Sequence, residues 1–416
     1  MSLPNQLNYS QTISELPQCT TYEVTLVPTT GAGSYSSGST IKFDFQNRGF
    51  IDPQSIMLRY SYAVTSLVGA QIKATPAYSP WLRLETLIGS QIVESINQYN
   101  QTVGFLHVNT QYDVATKYGS QSALGFYSDT TSGDMTQMDG RVCAVNETGS
   151  FSCPLVGMLY SSNKLIPAFA MPTISVQLTM DQISSIFTTS VVPTAFTVSN
   201  VELSYNMLDF GREVEQSVLS MPKLYLKAWS YTNSAVSTAS GLTGQISLVY
   251  NQKLASIKGA YIIPSGSASI NTWGDSIDMT VGNGDYSLVV AGQVYPQRSL
   301  NTKTNKAYII QELRKASGNI TDRNNNMCIN SIEFNATSAT ATLTQPAKFI
   351  IGIPLEKLHL PDDKAILSGI SSNNSNITVN INTATATATS NNVNLILNYD
   401  CIIEVDTMNK DARVRQ

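Results

Sequence analysis

The fold is decided by SNVELSYNMLDF, Ser199 to Phe210, when it is set against NNVNLILNYDCI, Asn391 to Ile402. Slid over each other, the two share Asn200/Asn392, Val201/Val393, Leu203/Leu395 and Asn206/Asn398. Both alternate apolar and polar residues with period two, the mark of a strand with one face buried. Both also follow Thr-rich, β-branched sequence. A chain whose end repeats its middle is expected to be built twice.

Other landmarks keep the same order. Ile41-Lys-Phe-Asp-Phe-Gln resembles Ile246-Ser-Leu-Val-Tyr-Asn, and Gln91 of one Gly-Gln hairpin matches Gln293 of another. Each hairpin runs into a segment with apolar residues at helical spacing. The first carries Tyr99, Val103 and Leu106, although Gly104 weakens it. The second carries Ile309, Leu313 and Ala316, with Thr304 or Asn305 placed to cap its start and Gly318 to end it. The rest reads as more than a dozen short strands separated by Gly, Pro, Asn and Ser. Tyr22, Val24 and Leu26 share one face, as do Ile41, Phe43 and Phe45, and Ile56, Leu58, Tyr60 and Tyr62. The expectation is an all-β chain with two related sandwich domains, 1–212 and 213–416, joined at the charged GREVEQ segment, 211–216.

Composition narrows the function. Charged residues make up 13% of the 416, about half the ~25% of an average protein. Ser, Thr, Asn and Gln take their place, giving a surface that neighbours can cover cheaply. The net charge of −4 and an N-terminal stretch without Lys or Arg argue against sequence-specific nucleic acid binding. No secretion signal and no apolar run of the ~20 residues needed for a membrane span is expected. The five cysteines, Cys19, Cys143, Cys153, Cys328 and Cys401, form no CxxC pair and read as thiols in a reducing compartment.

Signals for chemistry are weak. His107 and His359 fall in different domains, and no clustered set of metal ligands is visible. GNGDYS, 282–287, lacks the ending of a phosphate loop and reads as a hairpin turn. PDDK, 361–364, reads as a turn with exposed acids. Glu85 and Glu94 are of the residue type used as paired glycosidase acids, but their short antiparallel pair makes ordinary solvent-facing positions the expectation. Arg83 is expected in a structural ion pair or an interface contact. No catalytic residue, cofactor or metal is predicted.

Several stretches resemble the double jelly-roll major capsid proteins of the adenovirus-like and Polinton-like lineage of tailless icosahedral DNA viruses. They are SPWLRLETLIGSQIVESINQYN (79–100), FSCPLVGMLYSSNKLIPAFAMPTISVQLTM (151–180), SNVELSYNMLDF, VVAGQVYPQRSLNTKTNKAYIIQELRKASG (289–318), FIIGIPLEKL (349–358) and LILNYDCIIEV (395–405). The resemblance implies two tandem eight-stranded jelly rolls with short helices between strands. It implies a structural, non-enzymatic major capsid protein of the virion. Three chains would form a pseudo-hexameric capsomer that tiles an icosahedral shell beside penton and minor capsid proteins. The two helices would brace lobes near subunit contacts, through Tyr99, Val103, Leu106, Tyr308, Ile310 and Leu313. Loops 119–150 and 265–285 would face outward or clasp a neighbour. A glycan-binding adhesin or fibre module, a penton or minor capsid protein, and a jelly-roll enzyme are the alternatives.

Overall fold

A computed structural model describes residues 18–31, 33–66, 69–73, 76–110, 140–143, 145–187, 192–266, 276–317, 334–335, 348–357, 367–387 and 391–416. Sixteen principal strands are numbered here in chain order. The first eight are β1 (Thr20–Leu26), β2 (Thr40–Asp44), β3 (Met57–Thr65), β4 (Trp81–Ile88), β5 (Gln91–Asn97), β6 (Thr148–Pro154), β7 (Ile174–Met180) and β8 (Ala195–Asp209). The second eight are β9 (Lys223–Thr238), β10 (Gly244–Tyr250), β11 (Ile257–Gly266), β12 (Gly284–Val290), β13 (Gln293–Asn301), β14 (Ile351–Pro354), β15 (Ile377–Thr383) and β16 (Asn391–Asp406). Helices α1 (Tyr99–Thr110), α2 (Arg212–Leu219) and α3 (Lys306–Ala316) lie between them.

The duplication is visible in the strand order. In the first half one sheet runs β1-β8-β3-β6 and the other β2-β7-β4-β5. In the second half the orders are β9-β16-β11-β14 and β10-β15-β12-β13. Adding eight to each label of the first half gives the second. Two four-stranded antiparallel sheets in these orders make a jelly roll. None of these sheets mixes strands from before Asp209 with strands from after Lys223.

Residue register bears out two of the three sequence matches. Ile41 pairs with Leu178 on β7, and Ile246 with Ile381 on β15. The β4–β5 turn closes between Ile88 and Gln91, and the β12–β13 turn between Val290 and Gln293. The third match lies on equivalent strands but is out of step. β8 and β16 start at Ala195 and Asn391 and end at Asp209 and Asp406, so equivalent positions stand about 196 apart, not 192. A slip by an even number leaves every side chain on its own face, so alternating sequence tolerates such a misalignment.

The alternation predicts the core well. Ile41, Phe43, Phe45, Ile56, Leu58, Tyr60, Tyr62, Leu203 and Leu395 are all buried. Tyr22 departs from the pattern: Val24 and Leu26 are buried, but Tyr22 stays 47% exposed near the outer end of β1. Trp81 meets Tyr60 edge-on, and Tyr62 stacks on Phe151. Such ring pairs add to stability beyond the area they bury.

Both helices form where apolar spacing placed them. α1 keeps Gly104 inside it, buried with Tyr99 and Val103. Asn305 occupies the cap position of α3 without a side-chain cap bond. Instead Asn301 Oδ1 accepts from the backbone N–H groups of Lys303 and Thr304 and from the Thr304 hydroxyl, which fixes the approach. α3 buries Leu313 beside Tyr261, Ile263, Ile350 and Ile396, while Ile309 joins the main core, and Tyr261 donates its hydroxyl to the Ala316 carbonyl at the helix end.

Candidate functional site: the joint between the two lobes

The first half-chain meets the second along one edge, where polar chemistry is concentrated. β9 is the outermost strand of its sheet, pairing only with β16. Its free edge is occupied by the segment that follows β6. Trp229 N–H donates to Ser161 Oγ at 2.9 Å, and Ser161 Oγ donates to the Trp229 carbonyl at 2.5 Å. Asn163 N–H donates to the Lys227 carbonyl at 3.0 Å, and Lys227 N–H to Asn163 Oδ1 at 3.1 Å. An exposed strand edge invites pairing with other chains, and these four bonds close this one.

The centre of the joint is Glu94 on β5, 2% exposed. Its carboxylate accepts from Thr86 Oγ1 at 2.7 Å, from Met158 N–H at 2.7 Å and from Ser230 Oγ across the joint. The solvent-facing expectation for Glu94 is therefore wrong. A β-bulge opposite Thr86/Leu87 on β4 puts Glu94 beside Thr86, on the face turned toward Gly157 and Ser230. Burial pushes its pKa up, and the three donated hydrogen bonds oppose that rise. Above it Asn233 Nδ2 donates to Thr102 Oγ1 of α1 at 3.1 Å. Below it Gln416 donates its side-chain amide to the Val93 carbonyl. A cleft of about 550 Å³ opens beside these contacts, lined among others by Ile92, Glu94, Lys253, Tyr399 and Arg413.

Glu85 is also buried, again against expectation. Gln177 donates to one carboxylate oxygen and Arg83 pairs with the other at 3.4 Å. That places Arg83 in a structural ion pair, as read from sequence. Glu85 sits opposite Ser95 and Glu94 opposite Thr86, so consecutive register puts the two acids on opposite faces of the strand pair. They cannot flank one glycosidic bond.

The GNGDYS segment is a turn leading into β12, and it already holds an anion of its own. Asp278 accepts from the N–H groups of Thr280 and Gly282, both at 2.9 Å, and from the Tyr286 hydroxyl at 2.9 Å. With that carboxylate bound, the loop has no room to cradle a phosphate.

Of the six side chains named for subunit contacts, Tyr99, Val103 and Leu313 are buried by their own chain, and Tyr308 and Ile310 are half-buried. The Tyr99 hydroxyl accepts from Val156 N–H at 2.9 Å, so α1 is pinned beside the joint. The side chains of Leu106 and His107 lie outside the described residues, as do Gly318, Cys328, His359, 361–364, residues 119–139 and 144 of the first loop and 267–275 of the second. Cys19, Cys153 and Cys401 carry no disulfide. Sequence reading missed Ser161, Asn163 and Ser230, because small polar residues in loops and strands carry no signal of a partner far along the chain.

No protein-family model matches the chain, and no curated protein sequence matches it. Solved structures do match. PBCV-1 VP54, as fitted into a cryo-EM reconstruction of the virophage Sputnik, is 10% identical with a TM-score of 0.64, covering 98% of this chain and 99% of that one. The Faustovirus major capsid protein is 9% identical with a TM-score of 0.60, covering 96% and 92%. The mavirus major capsid protein is 10% identical with a TM-score of 0.53, covering 100% and 95%. The chain therefore has the double jelly-roll fold found in these viral proteins, along nearly its whole length.

Proposed function

We propose that this chain is a structural major capsid protein of a virion, with packing rather than catalysis as its work. In this reading it forms homotrimers, pseudo-hexameric capsomers that tile an icosahedral shell beside neighbouring capsomers, penton and minor capsid proteins. The first jelly roll takes residues 1–212 and the second 213–416, with α2 as the connecting piece. The observation that carries the reading is the asymmetry of the lobe joint. Inside the chain, β5, α1 and the segment after β6 of the first lobe engage the outer strand β9 of the second. Among the described residues, their counterparts, β13 and α3 on one side and β1 on the other, meet no such partner: β1 pairs there only with β8 and β13 only with β12. One chain thus offers both halves of the same contact at its two ends. A head-to-tail contact of this kind repeats until the ring closes. Tyr308 and Ile310 on α3 would then face the next chain, while Tyr99, Val103 and Leu313 hold their helices from beneath.

The solution mass of the purified chain, by light scattering coupled to size exclusion, tests this directly. A species near three times 45.1 kDa is expected. A monomer that persists at high concentration would overturn the trimer and turn attention to glycan binding by a β-sandwich.

A further inference from the structure

Beside the joint, the second lobe gathers a cluster of charges around one fully buried carboxylate. Asp400, on β16, has a fully buried side chain. Among the described residues, no donor meets hydrogen-bond geometry at either of its carboxylate oxygens, although the Ser368 amide approaches it. Lys258 Nζ stands 3.8 Å from Oδ1 and Lys227 Nζ 3.8 Å from Oδ2. Lys258 Nζ also stands 3.6 Å from Glu356 Oε1, whose orientation is fixed by the Ser368 hydroxyl donating at 2.5 Å. Lys258 occupies its place through a bulge: pairing with β16 shifts between Ile257 and Gly259, and Lys258 is the extra residue. Bulges re-aim side chains in this way beside reactive sites.

The cluster is roofed. Ile370 exchanges two backbone hydrogen bonds with Ile257, and Gly369 N–H donates to Ser256 Oγ. A Cβ on Gly369 would stand 2.4 Å from the Ile257 carbonyl oxygen, so this loop lies directly on β11; beneath it Asp400 is fully buried, while the Lys258 and Glu356 side chains stay 20% and 17% exposed. In such surroundings separated charges are costly and a proton moves readily from ammonium to carboxylate. Burial raises the Asp400 pKa even though both lysines act to lower it.

We propose that Lys258 and Asp400 join in an intramolecular isopeptide bond, formed by the chain itself with Glu356 as the proton carrier and Lys227 steadying the developing oxyanion. Glu356 relays one proton from the Lys258 ammonium to an Asp400 carboxylate oxygen, and the freed Nζ lone pair attacks the neutral carboxyl carbon Cγ. The tetrahedral intermediate turns its one negative oxygen toward Lys227 Nζ. The hydroxyl then leaves as water with a second proton lost from nitrogen through Glu356. Ammonium and carboxylate become one amide and one water, so no oxidant or reductant is needed. The bond would staple β11 to the closing strand β16. It does not depend on capsid assembly, so its failure and that of the trimer are read separately.

Intact-mass measurement of the purified, acid-denatured full chain tests the bond, followed by peptide mapping. The expected result is a chain lighter by one water molecule, with a branched peptide containing both Lys258 and Asp400. Lys258→Ala and Asp400→Ala should restore the lost water. Glu356→Gln should slow formation by about a hundredfold, the scale of general acid–base assistance. Full sequence mass, with Lys258 and Asp400 recovered in separate linear peptides, would overturn the proposal. A branch mapped to Lys227 would overturn the choice of nucleophile. The wild-type map decides the matter even where a variant fails to fold.

Discussion

Glu94 on the first lobe accepts a hydrogen bond from Ser230 on the second, and both side chains are buried. The same carboxylate holds Thr86 and the Met158 amide. Truncating it strands three buried donors. Glu94→Ala is expected to destabilise the chain by about 2–4 kcal/mol, since each buried group left without a partner costs about 1–3 kcal/mol. Glu94→Gln can keep its carbonyl toward Met158 and Ser230 and donate its amide to Thr86 Oγ1. It should cost under about 1 kcal/mol by the same reasoning. Urea denaturation of the two variants beside the wild type measures the difference.

The raised pKa of Glu94 gives the joint a pH dependence with a definite sign. The unfolded chain loses this proton near the ordinary carboxyl value of 4.5, and the folded chain holds it to higher pH. Between those two values the folded state binds more protons, so stability falls as pH rises. The contribution is fully present below 4.5 and gone once the folded group has ionised. Relative to Glu94→Gln, which cannot titrate, the wild type should weaken as pH is raised from 4.5 and then level off. Unfolding free energies of both proteins across that range give the curve. A wild-type stability that rises with pH relative to Glu94→Gln would contradict it.

Much of this is legible in the sequence. Period-two alternation named the core residues from Ile41 to Phe45 and from Ile56 to Tyr62, and the Gly-Gln hairpins gave the repeat its register. Glu94 was misread for a physical reason. Alternation says which face of a strand is buried by its own sandwich, and it is silent about a second lobe reaching the same place. Ser230 lies on a different sheet and 136 positions away. A contact of that range leaves no local pattern. Charged residues in strands are ordinarily at the surface, so the prior pointed outward.

The seat of α3 rests on a glycine. A Cβ on Gly352 of β14 would stand 2.6 Å from Leu313 Cα and 2.7 Å from Leu313 Cδ1. Backbone cannot turn aside as a long side chain can, so the helix would have to lift. Gly352→Ala is expected to cost about 1–3 kcal/mol, the range for overfilled cores. Gly33→Ala, at a position with nothing within 4 Å, serves as the control and should be near neutral. Thermal melts of the pair distinguish steric conflict from a general cost of removing glycine.

The two equivalent hairpins solve the same turn differently. Gly89 takes φ +63° in the first, while in the second both Ala291 and Gly292 take positive φ, +51° and +77°. A residue with a Cβ pays about 1–2 kcal/mol in that region. Ala291→Gly should therefore stabilise the chain by about 0.5–1 kcal/mol, and Gly89→Ala should destabilise it by a similar amount. Opposite signs at equivalent positions, read from chemical denaturation midpoints, are the expected outcome. Equal signs would mean that the hairpin conformation is not what decides either residue.

The joint inside the chain also says where a second chain should bind. Ile92 sits at the start of β5, lining the cleft against the second lobe, and Val294 holds the equivalent place on β13 with 48% of its surface exposed. If β13 meets β1 of the next chain as β5 meets β9, Val294 lies in that contact. Val294→Asp would then bury a charge without a partner, a cost of several kcal/mol shared among the contacts of the ring. It should shift the oligomer toward monomer while leaving the melting curve of the monomer unchanged. Val249→Asp is the matched control, because Val249 is similarly exposed on β10, at the opposite edge of the same sheet. Light scattering over a dilution series reads both. Trimers that survive Val294→Asp but not Val249→Asp would place the subunit contact on the other edge and break the correspondence between the two joints.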